Sequence, residues 1–268
     1  MTKSDEPCLN LSSWGTARAD LAAIAGMRKT LPTWAPKDTP GHFLKHADEQ
    51  TVLAVSALDQ AISSAGKSID HYRNWAIIAA PRFIGRIAGT STLERFSRGG
   101  GPAISPHVIP QHSLHSISGA LSILLASRQP NFGVGGTGDS LAEGLLASLT
   151  FPAANCSGVW LVSTAWDPEP QLDDAGLCLN APVCHAVALG MQLAAQNDAC
   201  GQLRLMVQNG PIETERAVGW FKNAAGVCRS LVALTPGGPP ACFAWRLPWG
   251  GTIVLNASEV IAGLAAAA

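Results

Sequence analysis

Apolar residues along this chain switch repeatedly between a three-to-four-residue spacing and short unbroken runs, the pattern of helices alternating with covered strands. Between His42 and Ala65, Val52, Val55, Leu58 and Ile62 recur at helical steps and Gly66 follows, so the spacing predicts a helix over 42–65. The prolines between Thr30 and Gly41 mark the loop that leads into it. Trp75–Ala80 (WAIIAA) is an apolar run of strand length, as expected for a strand covered on both faces. Residues 82–101 are rich in Arg, Gly and Ser and are expected to wrap the surface. A helix is expected over His112–Ser127, with small residues at Ser116, Ser118, Gly119 and Ala120 that let neighbouring backbones come close. A short strand over Phe132–Thr137 and a helix over Ser140–Leu149 follow.

Beyond these lie an apolar strand over Gly158–Thr164, ending in Asp167-Pro168, and a Leu/Ala-rich helix over Ala186–Ala195. A strand is expected over Gln202–Val207, a helix over Glu213–Leu231, and two strands within Cys242–Leu255, broken at Pro248–Gly251. Strands alternating with helices predict an α/β fold on a layered, largely covered sheet.

Charge narrows the partners. Only 14% of the 268 residues are charged and the net charge is −1, against about 25% charged in an average globular protein. With no basic run, nothing points to nucleic acid. A chain so poor in charge often covers part of its surface in an oligomer. No apolar stretch reaches the length of about 18 residues that crosses a bilayer, and the N-terminus lacks the apolar core of a signal peptide. No integral membrane segment is therefore expected, and the cytoplasm is the expected compartment. Seven cysteines, an odd number without a CxxC pair, read as small buried apolar residues. No metal or cofactor is implied.

The candidate chemistry concentrates between Ser105 and Ala147. A strand feeding tightly into a helix projects a side chain at the turn, where the first helical amides can stabilise an oxyanion or depress a thiol pKa. Phe132 to Ser140 (FGVGGTGDS) has this strand–turn–helix pattern but holds no cysteine. Asp139 is expected to cap the helix, and Ser140 sits in its first turn. Glycines at 133, 135, 136 and 138 mark close approach by another backbone or a ligand. A phosphate loop is disfavoured, because no Gly-Lys-Ser/Thr is present and the spacing does not fit a dinucleotide fingerprint. His112 and His115, three apart on one face of the expected helix, are candidate pocket residues alongside Asp139 and Ser140. Nothing fixes a metal geometry on His112, His115 and Asp139, and His185 reads as a core or helix-end histidine.

The segment 105–147 resembles, without a gap, the active-site segment of thiolase-fold β-ketoacyl synthases. Ile109-Pro110 matches an xP element, Ser116–Ala126 with Gly119 a helix of small residues, Pro130-Asn131 a turn, and Phe132–Thr137 the strand before the nucleophile. The position of the nucleophilic cysteine falls on Gly138, which has no side chain to attack a thioester. The segments 43–62, 74–86 and 158–171 are similar to short ketosynthase N-terminal-like, chain-length-factor-type subunits. The resemblance covers residues 40–170. It implies one thiolase-like domain over 1–257, helices packed on a mixed sheet with a reduced second half, and an Ala-rich tail at 258–268. Condensing enzymes also carry two histidines in their C-terminal half, in contexts that do not occur here after residue 170.

Condensation needs a thiolate to hold the acyl chain and imidazoles to assist decarboxylation. Both are missing, so the resemblance implies a non-catalytic subunit that pairs with an active ketosynthase, serves an acyl carrier protein, and bounds the acyl tunnel in fatty-acid- or polyketide-type biosynthesis. Two alternatives stand beside it: an acyltransferase or thioester hydrolase using Ser140, Asp139 and His115, and a protein that binds an acyl chain or carrier protein without turnover. In the thiolase fold the strand before the nucleophile pairs with its counterpart across a two-fold axis. Asn131, Phe132, Gly133, Val134, Gly135, Gly136 and Thr137 are thus the expected dimer seam, with an active ketosynthase or with a second copy. Phe132 and Val134 would supply buried side chains there, and the glycines would admit the partner's backbone.

Overall fold

Every residue of Trp75–Pro81 is buried, as are the first nine of Gly158–Asp167, which places these two apolar runs in the middle of a sheet. A computed structural model describes residues 8–106, 108–135, 140–151, 156–192, 201–206, 226–227, 241–246 and 251–257. The strands are β1 (Cys8–Asp20), β2 (Trp75–Pro81), β3 (Asn131–Gly133), β4 (Gly158–Asp167), β5 (Val183–Gln192), β6 (Gly201–Met206), β7 (Ala241–Arg246) and β8 (Thr252–Ala257). They form one mixed sheet in the order β3-β2-β4-β5-β1-β6-β8-β7. β2 runs parallel to both β3 and β4, and the remaining pairings are antiparallel. The helices are α1 (Leu21–Met27), α2 (Glu49–Ala65), α3 (Arg86–Gly99), a single turn α4 (Val108–Gln111), α5 (His115–Leu124) and α6 (Ser140–Thr150).

Alternate residues of β2 serve opposite layers. Ala76, Ile78 and Ala80 pack with Leu141, Leu145 and Leu149 of α6. Trp75, Ile77 and Ala79 pack with Leu53, Ala54 and Leu58 of α2 and Ile117 and Leu121 of α5. The period of two in the strand and the helical stripes meet on both faces, which is the expected α/β layering. On the α2 side Tyr72, Trp75 and Trp160 stack with ring centroids 5.0–5.3 Å apart.

Several expectations need correction. The helix predicted over 42–65 begins only at Glu49, because Asp48 accepts the Gln50 amide and caps it there. Residues 82–101 do lie on the surface, but 86–99 of them form α3. The helix predicted over 112–127 is shorter, so His112 precedes α5 and does not share a helix face with His115. The predicted helix over 186–195 is instead strand β5 from Val183 to Gln192, buried from Cys184 onward. An unbroken apolar run fits a buried helix or a covered strand equally, and pairing on both sides with β4 and β1 decides for the strand. β1 had no sequence signal. Its buried positions are Leu9, Leu11, Ser13 and Gly15, and a Cβ on Gly15 would meet the Ala57 carbonyl oxygen at 2.3 Å. Leu9 and Leu11 join the core on the α6 face, whereas at Gly15 the strand is covered by close approach of α2 without apolar bulk. The short strand ends at Gly133, not Thr137. The paired strands near the C-terminus are found as β7 and β8, and with β6 they extend the same sheet. The helix predicted over 213–231 and the tail 258–268 lie outside the described residues, apart from Gly226 and Val227, which are helical.

Candidate functional site

Because β2, β3 and β4 are parallel, their C-terminal ends lie at one end of the sheet, where open α/β sheets carry ligands. The turn Arg82–Arg86 leaves β2 there, Val134-Gly135 leaves β3, and the N-terminus of α2 arrives beside them. Asp48, only 2% exposed, holds the group together. One carboxylate oxygen accepts the Gln50 amide at 2.9 Å. The other accepts the Gly85 amide at 3.1 Å and lies 3.1 Å from His112 Nδ1. Thr164 Oγ1 donates to Gln50 Oε1 at 2.6 Å, Gln50 Nε2 donates to the Arg82 carbonyl at 3.0 Å, and the Arg82 amide donates to the Thr164 carbonyl at 2.8 Å.

Charged groups surround this network. Arg82 Nε lies 3.3 Å and Arg86 Nη1 3.7 Å from the two carboxylate oxygens of Glu169. Burial raises the Glu169 pKa, and the two guanidinium groups pull it back. Burial, followed by the Asp48 charge, also raises Glu49, whose carboxylate pairs with Arg28 at 2.6 Å.

The elbow itself is partly visible. The Val134 amide donates to the Ala79 carbonyl at 2.8 Å, continuing the ladder one residue past β3. A Cβ on Gly133 would meet the Leu114 carbonyl oxygen at 2.0 Å, and one on Gly135 would meet Ser140 at 2.8 Å. The expected close approach at these glycines is therefore real, but the approaching groups belong to this chain, not to a partner. Phe132 packs edge-on against Phe151 at 5.1 Å, and Phe132 and Val134 both lie against the core beneath α6. Gly136, Thr137, Gly138 and Asp139 lie outside the described residues, so the nucleophile position and the expected cap are not placed.

Of the remaining candidates, Ser140 opens α6 and is 1% exposed. His115 is exposed, with Nδ1 3.3 Å from Ser118 Oγ. The structure does not assemble them into a nucleophile–base pair. His112 does line a cleft, together with Phe83, Ile84, Arg86, Leu114 and Gly135 among the described residues. Sequence reasoning missed Asp48, Gln50, Thr164 and Glu169. The one available signal was Asp48 itself, a capping residue just before the first periodic apolar position, Val52. Among the described residues no three His, Cys, Asp or Glu side chains are grouped to hold a metal ion, and no helix is long and apolar enough to cross a membrane.

No family model and no curated protein matches the chain. Solved structures do. A type II polyketide synthase acyl-carrier protein in complex with its hexaketide-bound ketosynthase aligns with TM-score 0.63 at 11% identity, covering 95% of this chain and 100% of that one. A β-ketoacyl synthase from Burkholderia phymatum aligns with TM-score 0.56 at 9% identity, over 94% and 99%. A ketosynthase in complex with its chain length factor from Xenorhabdus doucetiae aligns with TM-score 0.55 at 15% identity, over 92% and 98%. The fold is that of the thiolase-like ketosynthases.

Proposed function

We propose that this chain is a non-catalytic, chain-length-factor-type ketosynthase subunit that pairs with an active ketosynthase and bounds its acyl tunnel in fatty-acid- or polyketide-type biosynthesis. The observation that carries the reading is Gly138. On a ketosynthase-like fold, glycine stands where the resemblance places the nucleophilic cysteine, so no thiolate can take an acyl chain from a carrier protein. The position of β3 supports pairing. Among the described residues it is the terminal strand of the sheet, and Ile77 and Val134 use the Pro130 and Ala79 carbonyls of the β2–β3 ladder. The alternation of a parallel ladder then turns the amides of Asn131 and Gly133 away from β2. A short edge without lysine, proline or a bulge is a template for another strand. Residues 1–257 form one domain on this reading. Hydrolysis through Ser140, Asp139 and His115 has less support, since Ser140 is buried and His115 faces Ser118.

The test is condensation itself. The pure chain with acyl- and malonyl-carrier protein should give no 3-ketoacyl product. Gly138→Cys should become open to acylation by a reactive thioester and still not condense, since the histidines remain absent. Turnover by the unmodified chain alone would contradict the reading.

A further inference from the structure

Helix α2 has a second face. Leu53, Ala54 and Leu58 pack in the layer beneath the sheet, while Val52, Val55, Ser56 and Asp59 lie against the chain that follows α1. That chain is fastened at two points. Arg28 donates to the Leu44 and Ala47 carbonyls and pairs with Glu49 at 2.6 Å. Six residues on, Trp34 Nε1 donates to Asp59 Oδ1 at 2.7 Å. Between these anchors Thr30, Leu31 and Pro32 bridge α2 and leave a pocket of ~220 Å³. That is smaller than the roughly 300–1,000 Å³ of a site for a drug-sized ligand. Two fixed ends hold its shape.

The lining of this pocket is apolar apart from one corner. Met27, Leu31, Leu44, Val52 and Val55 form its walls, and Asp59 is the one charged side chain among the described residues that line it. Asp59 forms no ion pair with a described residue, and Arg28 is committed to Glu49 and two carbonyls. Trp34 takes Oδ1, so Oδ2 is left for a further donor. Thr30 and Ser56 add two hydroxyls to the same lining. Three acceptors and an unanswered negative charge beside apolar walls suit a cation with three N–H donors and a short apolar tail. A half-exposed carboxylate alone would hold such a cation weakly. The apolar walls supply the rest of the binding and select for the tail.

We propose that this pocket binds a short primary alkylammonium, with its nitrogen on Asp59 Oδ2 and the hydroxyls of Thr30 and Ser56, and its alkyl chain against Leu31, Val52 and Val55. The site goes beyond the partner-subunit reading, because it uses neither β3 nor the Gly138 position and needs no ketosynthase. The test is a titration of the full chain at neutral pH with pentylammonium, methylammonium and 1-pentanol in turn. It follows the Trp34 indole N–H resonance among the chain's eight tryptophans, assigned with Trp34→Phe. Pentylammonium should shift that signal saturably. Methylammonium should bind much more weakly, since each buried methylene is worth about fourfold, and pentanol at least about tenfold more weakly for want of the charge. Asp59→Asn keeps an oxygen for Trp34 and should weaken pentylammonium about tenfold or more, as loss of a charge-assisted bond implies. No saturable shift, equal affinity for methylammonium or pentanol, or unchanged affinity in Asp59→Asn would overturn the proposal. Should that variant fail to fold, the comparison of the three ligands on the natural chain still decides.

Discussion

Helices α2 and α3 are similar in length, seventeen residues against fourteen, and opposite in what they bury. Ten side chains of α2 are buried, and its N-terminus carries the carboxylate that organises the cleft. None of α3 is buried, and its Leu93 and Phe96 are 69% and 52% exposed. A helix of that length has little stability of its own in water, and α3 is held by the Arg98–Glu94 pair within it, by Arg86 to Glu169 and Ile87 against the core at its first turn, and by Gly176 of a neighbouring loop beside Ser91. The first helix answers this chain's own sheet. The second presents apolar side chains outward.

The contrast can be broken by substitution. Gly15→Val should have the largest effect, because its Cβ would lie 2.3 Å from the Ala57 oxygen and 2.5 Å from the Ala61 nitrogen of α2. A loss of about 3 kcal/mol or more in denaturant unfolding is expected, since neither backbone can yield. Leu58→Ala, at a fully buried site on the same helix, should cost about 2–5 kcal/mol. An unchanged midpoint in either would mean that α2 does not seat on β1 as described.

The α2 side can also be read by titration. Tyr72 is the chain's sole tyrosine and packs against Trp75 and Trp160, and its phenol is pushed up to about 12 by burial, with a Ser13 hydrogen bond pulling the other way. A phenol raised in the folded state contributes stability that is fully present below its unfolded pKa of about 10. That stability is lost as pH rises through about 12. Near-ultraviolet absorbance should show one ionisation near 12, accompanied by loss of the tryptophan circular dichroism. Ionisation near 10 with the fold intact would show this aromatic layer to be open. The smallest effect belongs to α3: Leu93→Ser should change the unfolding free energy of the isolated chain by no more than about 0.5 kcal/mol.

How much the sequence disclosed follows from the same physics. β2, β4, α6 and most of α2 were legible because apolar period and burial coincide there. β1 was not, since Ser13 and Gly15 are covered by proximity of α2 without apolar bulk. β5 was misread because an unbroken apolar run is silent about its neighbours. At the site, His112 was a visible candidate, but its partner Asp48 lies 64 residues away and looks like a local helix cap. At Gly133 and Gly135 the glycines signalled close packing, while only the fold could say that Leu114 and Ser140 fill the space.

On the proposed reading, β3 is where an active ketosynthase docks. Amide hydrogen exchange on the chain, alone and mixed with an active ketosynthase from the same genome, tests it directly. Formation of a one-to-one complex should slow exchange at Asn131 and Gly133, whose amides point away from β2. A mixture that forms no complex, or a complex in which those two amides exchange as fast as in the free chain, would contradict it.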